Sequence, residues 1–340
     1  MRFLKTLILI LFCLGSLTSI AQDIHFTQYN MSPLSLNPAN TGAFYGTYRI
    51  GGIYRNQWAS VISPFSTPLF YIDAPIITGF RKSDWIGIGG AFISDKAGKA
   101  KLGSSTFMGS VAYHFALNKK GTSILTLGVQ GGKQNRTVSL TGSDIKFYEE
   151  LDPDMMIKSQ DHALGDKAGF IDINAGLMLK TQMNNQTSMV LGFSVNHINN
   201  PKVSFGGSGT KDEINLPQRY SGSGEFNFDL NKKWTLSPTF LYQAISTQSE
   251  ADVQMMGGYK LITTKEKNVK LNFGLGYRVG RNAEILLGMD YDNIKVGFAW
   301  DANTSPVTSN FNGGYEIAAS YIGKIYKKPK VNPVIFCPRF

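Results

Sequence analysis

The sequence predicts an all-β chain, a single antiparallel transmembrane β-barrel of about 14 strands and of the outer-membrane type. Three observations predict it. Side chains alternate between apolar and polar through most of the chain, and the connections between these segments alternate between short and long. No segment beyond residue 21 has the ~18 consecutive apolar residues that a spanning helix needs. An exported, strand-rich chain of this kind can cross lipid only as a closed barrel, because each backbone N–H and C=O must find its partner within the protein.

The alternation is clearest from Asn268 to Asp301. Val269, Leu271, Phe273, Leu275, Tyr277 and Val279 alternate with Lys270, Asn272, Gly274, Gly276 and Arg278. After Gly280-Arg281-Asn282 the pattern restarts with Ile285, Leu287, Met289 and Tyr291, and after Asp292-Asn293 with Ile294, Val296, Phe298 and Trp300. Successive side chains point to opposite faces of a strand, so these are three antiparallel strands with one apolar and one polar face. Their turns are too short for the crossovers of a parallel sheet.

In chain order, Met1 to Leu14 gives a basic start and a short apolar run, followed by Ser19-Ile20-Ala21. That is a secretory signal, residues 1–21, cleaved after Ala21. Cys13 lies inside the apolar run and not at the cleavage junction, so a lipid anchor on it is not expected. Cys337 then stands alone, and one cysteine supplies neither a disulfide framework nor a metal cluster. The net charge of +10 falls to +8 once Arg2 and Lys5 leave. In an exported chain this charge points to anionic outer-membrane lipid and lipopolysaccharide headgroups, not to nucleic acid.

Residues 22–46 form a lead-in with no sustained alternation, punctuated by Ser32-Pro33, Asn37-Pro38 and Gly42. Phe26, Tyr29, Leu34 and Leu36 make it too apolar for a solvated tail. It either plugs the lumen or packs beneath the barrel.

The barrel is expected over 47–326. Strands are predicted from about Thr47, then near 66–76, 85–94, 104–116, 122–132, 168–180, 187–197, 218–229, 233–244, 251–262, the trio above and 313–325, most of them near the ~10 residues of a tilted membrane strand. Every second connection is short and polar: Thr78–Asp84, Leu117–Gly121, Thr181–Gln186, Asn231–Lys232, Thr263–Asn268 and Asp292-Asn293. The others are often long, as in Gln57–Phe65, Lys133–Lys167, Ile198–Pro217 and Ala302–Asn312, with the modest Ser246–Glu250 and the short Gly280–Asn282 as exceptions. Short turns on one side and long loops on the other mark an outer-membrane barrel with its long loops outside. An even strand count then places both mature termini in the periplasm. Residues 327–340 form a tail whose three prolines forbid a central strand.

Catalytic and metal chemistry find little support. His25, His114, His162 and His197 lack ligand spacing, and interfacial packing is the expected role of His114 and His197. Gly206 to Lys211 lacks the order of a P-loop, and Ser221-Gly222-Ser223-Gly224 lacks the leading glycine of a nucleophile elbow. The carboxylates between Asp144 and Asp172 read as a solvated acidic loop without an EF-hand pattern. Trp85, Trp234 and Trp300 are expected in an interfacial girdle. The expectation is therefore no enzyme, no cofactor and no metal.

Phe26-Thr27-Gln28-Tyr29, Asn37-Pro38-Ala39-Asn40-Thr41-Gly42 and Tyr54-Arg55-Asn56-Gln57-Trp58 resemble motifs of the PorP/SprF family of type IX secretion system outer-membrane proteins. Asp73-Ala74-Pro75, Ala112-Tyr113-His114-Phe115 and Cys337-Pro338-Arg339-Phe340 are similar to it as well. The resemblance covers essentially the whole mature chain, apart from the long loops. It implies a single barrel with a periplasmic N-terminal segment, no catalysis, and a role with the secretion machinery. That role is export or surface anchoring of a cognate secreted protein, such as a gliding adhesin, that bears the pathway's C-terminal sorting domain. Phe26, Gln28, Tyr29, Asn37, Pro38 and Ala39, with Arg55, Gln57 and Trp58, are the candidate plug or partner-binding residues. The alternative is a passive porin for small solutes, for which Gly274, Gly276, Gly288 and Gly297 would leave room in the lumen.

Overall fold

The computed structural model describes residues 24–57, 65–78, 83–97, 102–137, 167–204, 214–264, 267–304 and 313–325. The predicted signal, the tail, Trp58 and the acidic loop from Asp144 to Asp166 lie outside them.

Fourteen strands close into one barrel. They are β1 (Tyr48–Gln57), β2 (Phe65–Thr78), β3 (Trp85–Ala97), β4 (Leu102–Ala116), β5 (Ser123–Thr137), β6 (Lys167–Asn184), β7 (Thr187–Asn196) and, beyond the short β8 (Lys202–Val203) and β9 (Ile214–Asn215) that stand outside the barrel sheet, β10 (Arg219–Asp229), β11 (Trp234–Ile245), β12 (Gln248–Thr263), β13 (Asn268–Arg278), β14 (Asn282–Tyr291), β15 (Ile294–Asn303) and β16 (Gly314–Gly323). Each pairs antiparallel with its neighbour, and β1 closes on β16 from Tyr48↔Gly323 to Gln57↔Gly314. Closure leaves no free edge, which is the condition for lying in lipid.

The predicted faces hold. Leu275 is 68% exposed and Leu287 52%, while Arg278 and Glu284 from the opposite parity are buried inside. Trp234 and Trp300 are exposed on the outer face, as expected of a girdle. Trp85 is not: its indole lies on the lumen side, stacked on the His114 ring at 4.4 Å.

Three further details complete the architecture. The Ser246–Glu250 connection is only Ser246-Thr247, with Ser246 at φ +52°, because β12 begins at Gln248. The connection after β7 is not all loop: β8 (Lys202–Val203) pairs with β9 (Ile214–Asn215). Register shifts fall at Pro75/Ile77, Gln182/Asn184 and Lys260/Ile262, all at the short-turn end of the barrel. An extra residue there bends a strand where the ladder stops.

Candidate functional site

The lead-in runs down the lumen as a chain of short turns. Tyr29–Met31 and Pro38–Asn40 are single 3-10 turns, and Pro33–Leu36 is one helical turn. Proline opens the last two, where its missing N–H costs nothing. Asn37 caps the third turn, its Oδ1 accepting from the Ala39 N–H at 2.8 Å. Gly42, at φ +71°, reverses the chain toward β1. No sheet partner exists for such a segment, so its backbone groups have to be satisfied by side chains.

The barrel wall supplies them along the whole path. At the long-loop mouth Arg55 donates to the His25 carbonyl. One carboxylate, Glu316, accepts from the N–H groups of both Thr27 (2.7 Å) and Gln28 (2.8 Å), and Gln254 donates to the Thr27 carbonyl at 2.8 Å. Lower down, Gln130 donates to the Leu34 carbonyl and Ser194 to that of Leu36. At the short-turn mouth Asp73 accepts from the Gly42 N–H at 2.7 Å, and Trp85 Nε1 donates to the Gly42 carbonyl at 2.9 Å. His114 Nε2 lies 2.9 Å from the Thr41 carbonyl and Nδ1 lies 2.8 Å from the Thr126 hydroxyl. A carbonyl can only accept, so Nε2 carries the proton and Nδ1 accepts from Thr126. His114 is thus a buried plug contact and not an interfacial packing residue. His197 is likewise buried, with Nδ1 2.8 Å from Asp172 Oδ1.

Side chains add specificity. Phe26 and Leu34 pack with Ile53, Leu69, Tyr71 and Ile93 in the lumen's apolar cluster. The Tyr29 hydroxyl donates to Thr239 Oγ1 at 2.7 Å. Gln28 Nε2 donates to the Glu316 carbonyl, and Asn37 Nδ2 to the carbonyls of Leu177 (3.1 Å) and Phe193 (3.2 Å). Pro38 and Ala39 lie against Gly128, and Asn37 against Gly176, so close that a Cβ at either glycine would overlap them.

Around the upper end of this segment the wall concentrates charge. Arg55 approaches Asp301 at 3.4 Å and Glu316 at 3.3 Å. Arg278 approaches Glu284 at 3.0 Å and both Glu250 and Asp252 at 3.3 Å. Its Nη1 donates to His25 Nε2 at 2.8 Å, and the Thr27 hydroxyl donates to Asp301 at 2.7 Å. At the lower end Arg49 holds Asp73 at 2.7 Å.

Eight of the nine predicted site residues fall within the described chain. Phe26, Gln28, Tyr29, Asn37, Pro38, Ala39 and Arg55 meet in the lumen. Gln57, at the outer end of β1, accepts from Arg55 at 3.3 Å. Glu316, Asp301, Gln254 and Arg278 were not singled out as site residues from the sequence, and Asp73 entered only through the Asp73-Ala74-Pro75 likeness. Their signal was a charged or amide group at lumen parity in a strand, which reads equally well as a wetted wall. Among the predicted lumen glycines, Gly297 gives its space to Gln28, Gly276 to Glu284 and Gln254, and Gly274 to Met256.

A sequence profile described as type IX secretion system membrane protein PorP/SprF matches residues 18–321. The chain belongs to the PorP/SprF family. No curated protein matches the sequence. Among solved structures, this PorP/SprF chain is similar to the toluene transporter TbuX of Ralstonia pickettii, at 10% identity and a TM-score of 0.50, covering 86% of this chain and 94% of that one. It is similar in the same degree to the toluene transporter TodX of P. putida, at 9% identity and a TM-score of 0.50, with 86% and 93% covered. At such identity the likeness is one of fold alone, an outer-membrane β-barrel. Family and fold are those of a secretion-system barrel of the Gram-negative outer membrane, not of an enzyme, and the family associates with the type IX machinery.

The path of the lead-in alters the predicted topology. Strand parity places the start of β1 and the end of β16 together at the short-turn mouth. Residues 24–42, however, run back through the lumen, so His25 lies at the opposite mouth beside Glu250 and Arg281. Strand counting constrains only the strands and not a segment threaded between them. An epitope inserted before Ile24 is therefore expected to be reachable by antibody on intact cells. One inserted between Lys119 and Lys120 should become reachable only after permeabilisation. The reverse pattern of labelling would refute this topology.

Proposed function

We propose that this PorP/SprF barrel is a closed anchor in the outer membrane, which supports export and surface retention of a cognate secreted protein. The cargo is a protein with the pathway's C-terminal sorting domain, such as a gliding adhesin, and it docks on the long-loop face. In this reading residues 1–21 are a signal removed on export, 22–46 the plug, 47–326 the barrel and 327–340 a tail. Lipid and lipopolysaccharide surround the apolar outer belt.

The observation that carries the reading is the filled lumen. A diffusion porin needs a continuous aqueous path, whereas here a segment crosses the lumen from one mouth to the other on hydrogen bonds from at least six strands. Phe26 and Tyr29 are each only 3% exposed, which leaves them little surface to offer a partner. Their role in this proposal is to hold the plug, and the cargo contacts lie elsewhere on the outer face.

The double substitution Phe26→Ala with Tyr29→Ala tests this. Truncating a buried aromatic costs about 3–5 kcal/mol, here drawn from plug docking, since the strand ladders do not involve either residue. Heat-modifiable barrel is expected at near-normal level, liposome conductance should rise above that of the intact chain, and surface cargo should remain. Porin-like conductance of the intact chain would overturn the closed-anchor reading. Cells lacking the chain altogether should lose a sorting-domain protein from their surface, and unchanged surface cargo in such cells would overturn the anchoring role.

A further inference from the structure

We propose that the short-turn mouth of the lumen carries an anion-binding site, built on Lys260 and Lys270, for a carboxylate-rich segment of another protein. The two lysines lie directly opposite each other on β12 and β13. Like charges at opposed positions of an antiparallel pair work against pairing, so this arrangement needs a counter-charge. Lys260 has one in Asp229, at 2.7 Å. Among the described residues, no carboxylate lies within ion-pair distance of Lys270. Asp290 stands opposite both Lys270 and Lys295, but the contact it makes is to Asn272 Nδ2, at 3.0 Å.

A cavity of about 240 Å³ opens beside the pair. Gln182, Gln186 and Asn227 line it with amides, and Ser188, Thr235 and Ser237 with hydroxyls. Gly258 gives its space to the stem of Lys270 and to the Thr235 hydroxyl, both of which line the cavity. No residue of the lead-in lines this cavity, so the plug does not fill it. Two ammonium groups framed by amides and hydroxyls suit a ligand with carboxylates and peptide groups.

The position narrows the ligand further. Strand parity directs Lys260, Lys270 and Lys295 into the lumen, away from the lipid headgroups that surround the barrel. The lining presents no aromatic platform for a sugar, since parity turns the Phe228 ring outward. The chain's own residues 327–340 carry four basic side chains and no acidic one, and so repel this site. Lys232 and Lys233, exposed on the turn between β10 and β11, extend the positive field beyond the mouth. An acidic protein segment that approaches along the barrel axis meets all of these groups.

The test uses the full chain in detergent with a fluorescein-labelled deca-glutamate peptide, followed by anisotropy at low and at physiological salt. Saturable, salt-sensitive binding is expected. It should weaken by about tenfold or more in Lys260→Gln/Lys270→Gln, and stay within about twofold in Lys119→Gln/Lys120→Gln on another turn of the same rim. Asp229→Asn, which removes the competing carboxylate, should tighten it. Heat-modifiable migration checks that each variant is folded. Equal loss in both lysine pairs would replace the site by diffuse rim charge, and absence of binding would remove it. Binding of phosphatidylglycerol in mixed micelles or of muropeptide glycan, with none of the acidic peptide, would overturn the ligand class.

Discussion

Replacing Arg278 by Met is expected to destabilise the folded, plugged barrel by about 3–5 kcal/mol. The guanidinium is 2% exposed and faces Glu250, Asp252 and Glu284 together, with His25 and Thr27 of the plug at its tip. Without it, Asp252 and Glu284 lose their cation in a buried centre while Glu250 keeps Arg281 at 3.0 Å, and the desolvation the first two have already undergone is no longer offset. The loss of the partner, not the loss of one attractive contact, sets the size of the effect. The measurement is the urea midpoint of heat-modifiable migration in lipid vesicles. Arg278→Met with Glu284→Gln should recover part of the loss, because one uncompensated charge is removed with the cation. A single substitution that leaves the midpoint unchanged would mean that the cluster is wet and does not hold the plug.

Replacing Leu275 by Arg is expected to cost roughly 2–4 kcal/mol of folding in lipid if it lies near the bilayer midplane. Leu287→Arg should act alike, since both side chains are exposed on the outer face. Asn272→Arg, three residues away on the lumen face of the same strand, should be milder, because Asn272 already contacts Asp290 and has polar surroundings. Refolding yield into vesicles at graded urea separates these outcomes. Equal penalties on the two faces would refute the assignment of lipid and lumen sides.

Much of the fold was legible because strand parity and turn length are local properties. Leu271, Phe273 and Leu275 alternating with Asn272, Gly274 and Gly276 place β13 and its faces without any tertiary information. Trp85 was misassigned although its parity with Gly87 and Gly89 turns it inward: an indole near a strand end suits a girdle, and its partner, the Gly42 carbonyl, is remote in sequence. His114 is similar, since its partner Thr41 is 73 residues away and no spacing rule connects them.

By itself the sequence determined the all-β class, the strand order, the lipid-facing residues and the family, each carried by runs of ten or so neighbouring residues. Whether the lead-in would fill the lumen or lie beneath it was a tertiary matter. The lead-in has no periodicity to match against a sheet, and its backbone is held by single side chains from β1 to β16 that converge only after the barrel has closed. That closure brings Glu316 to the N–H groups of Thr27 and Gln28, nearly 290 residues away. The facing of Lys260 and Lys270, by contrast, is a matter of the β12–β13 hairpin and its turn.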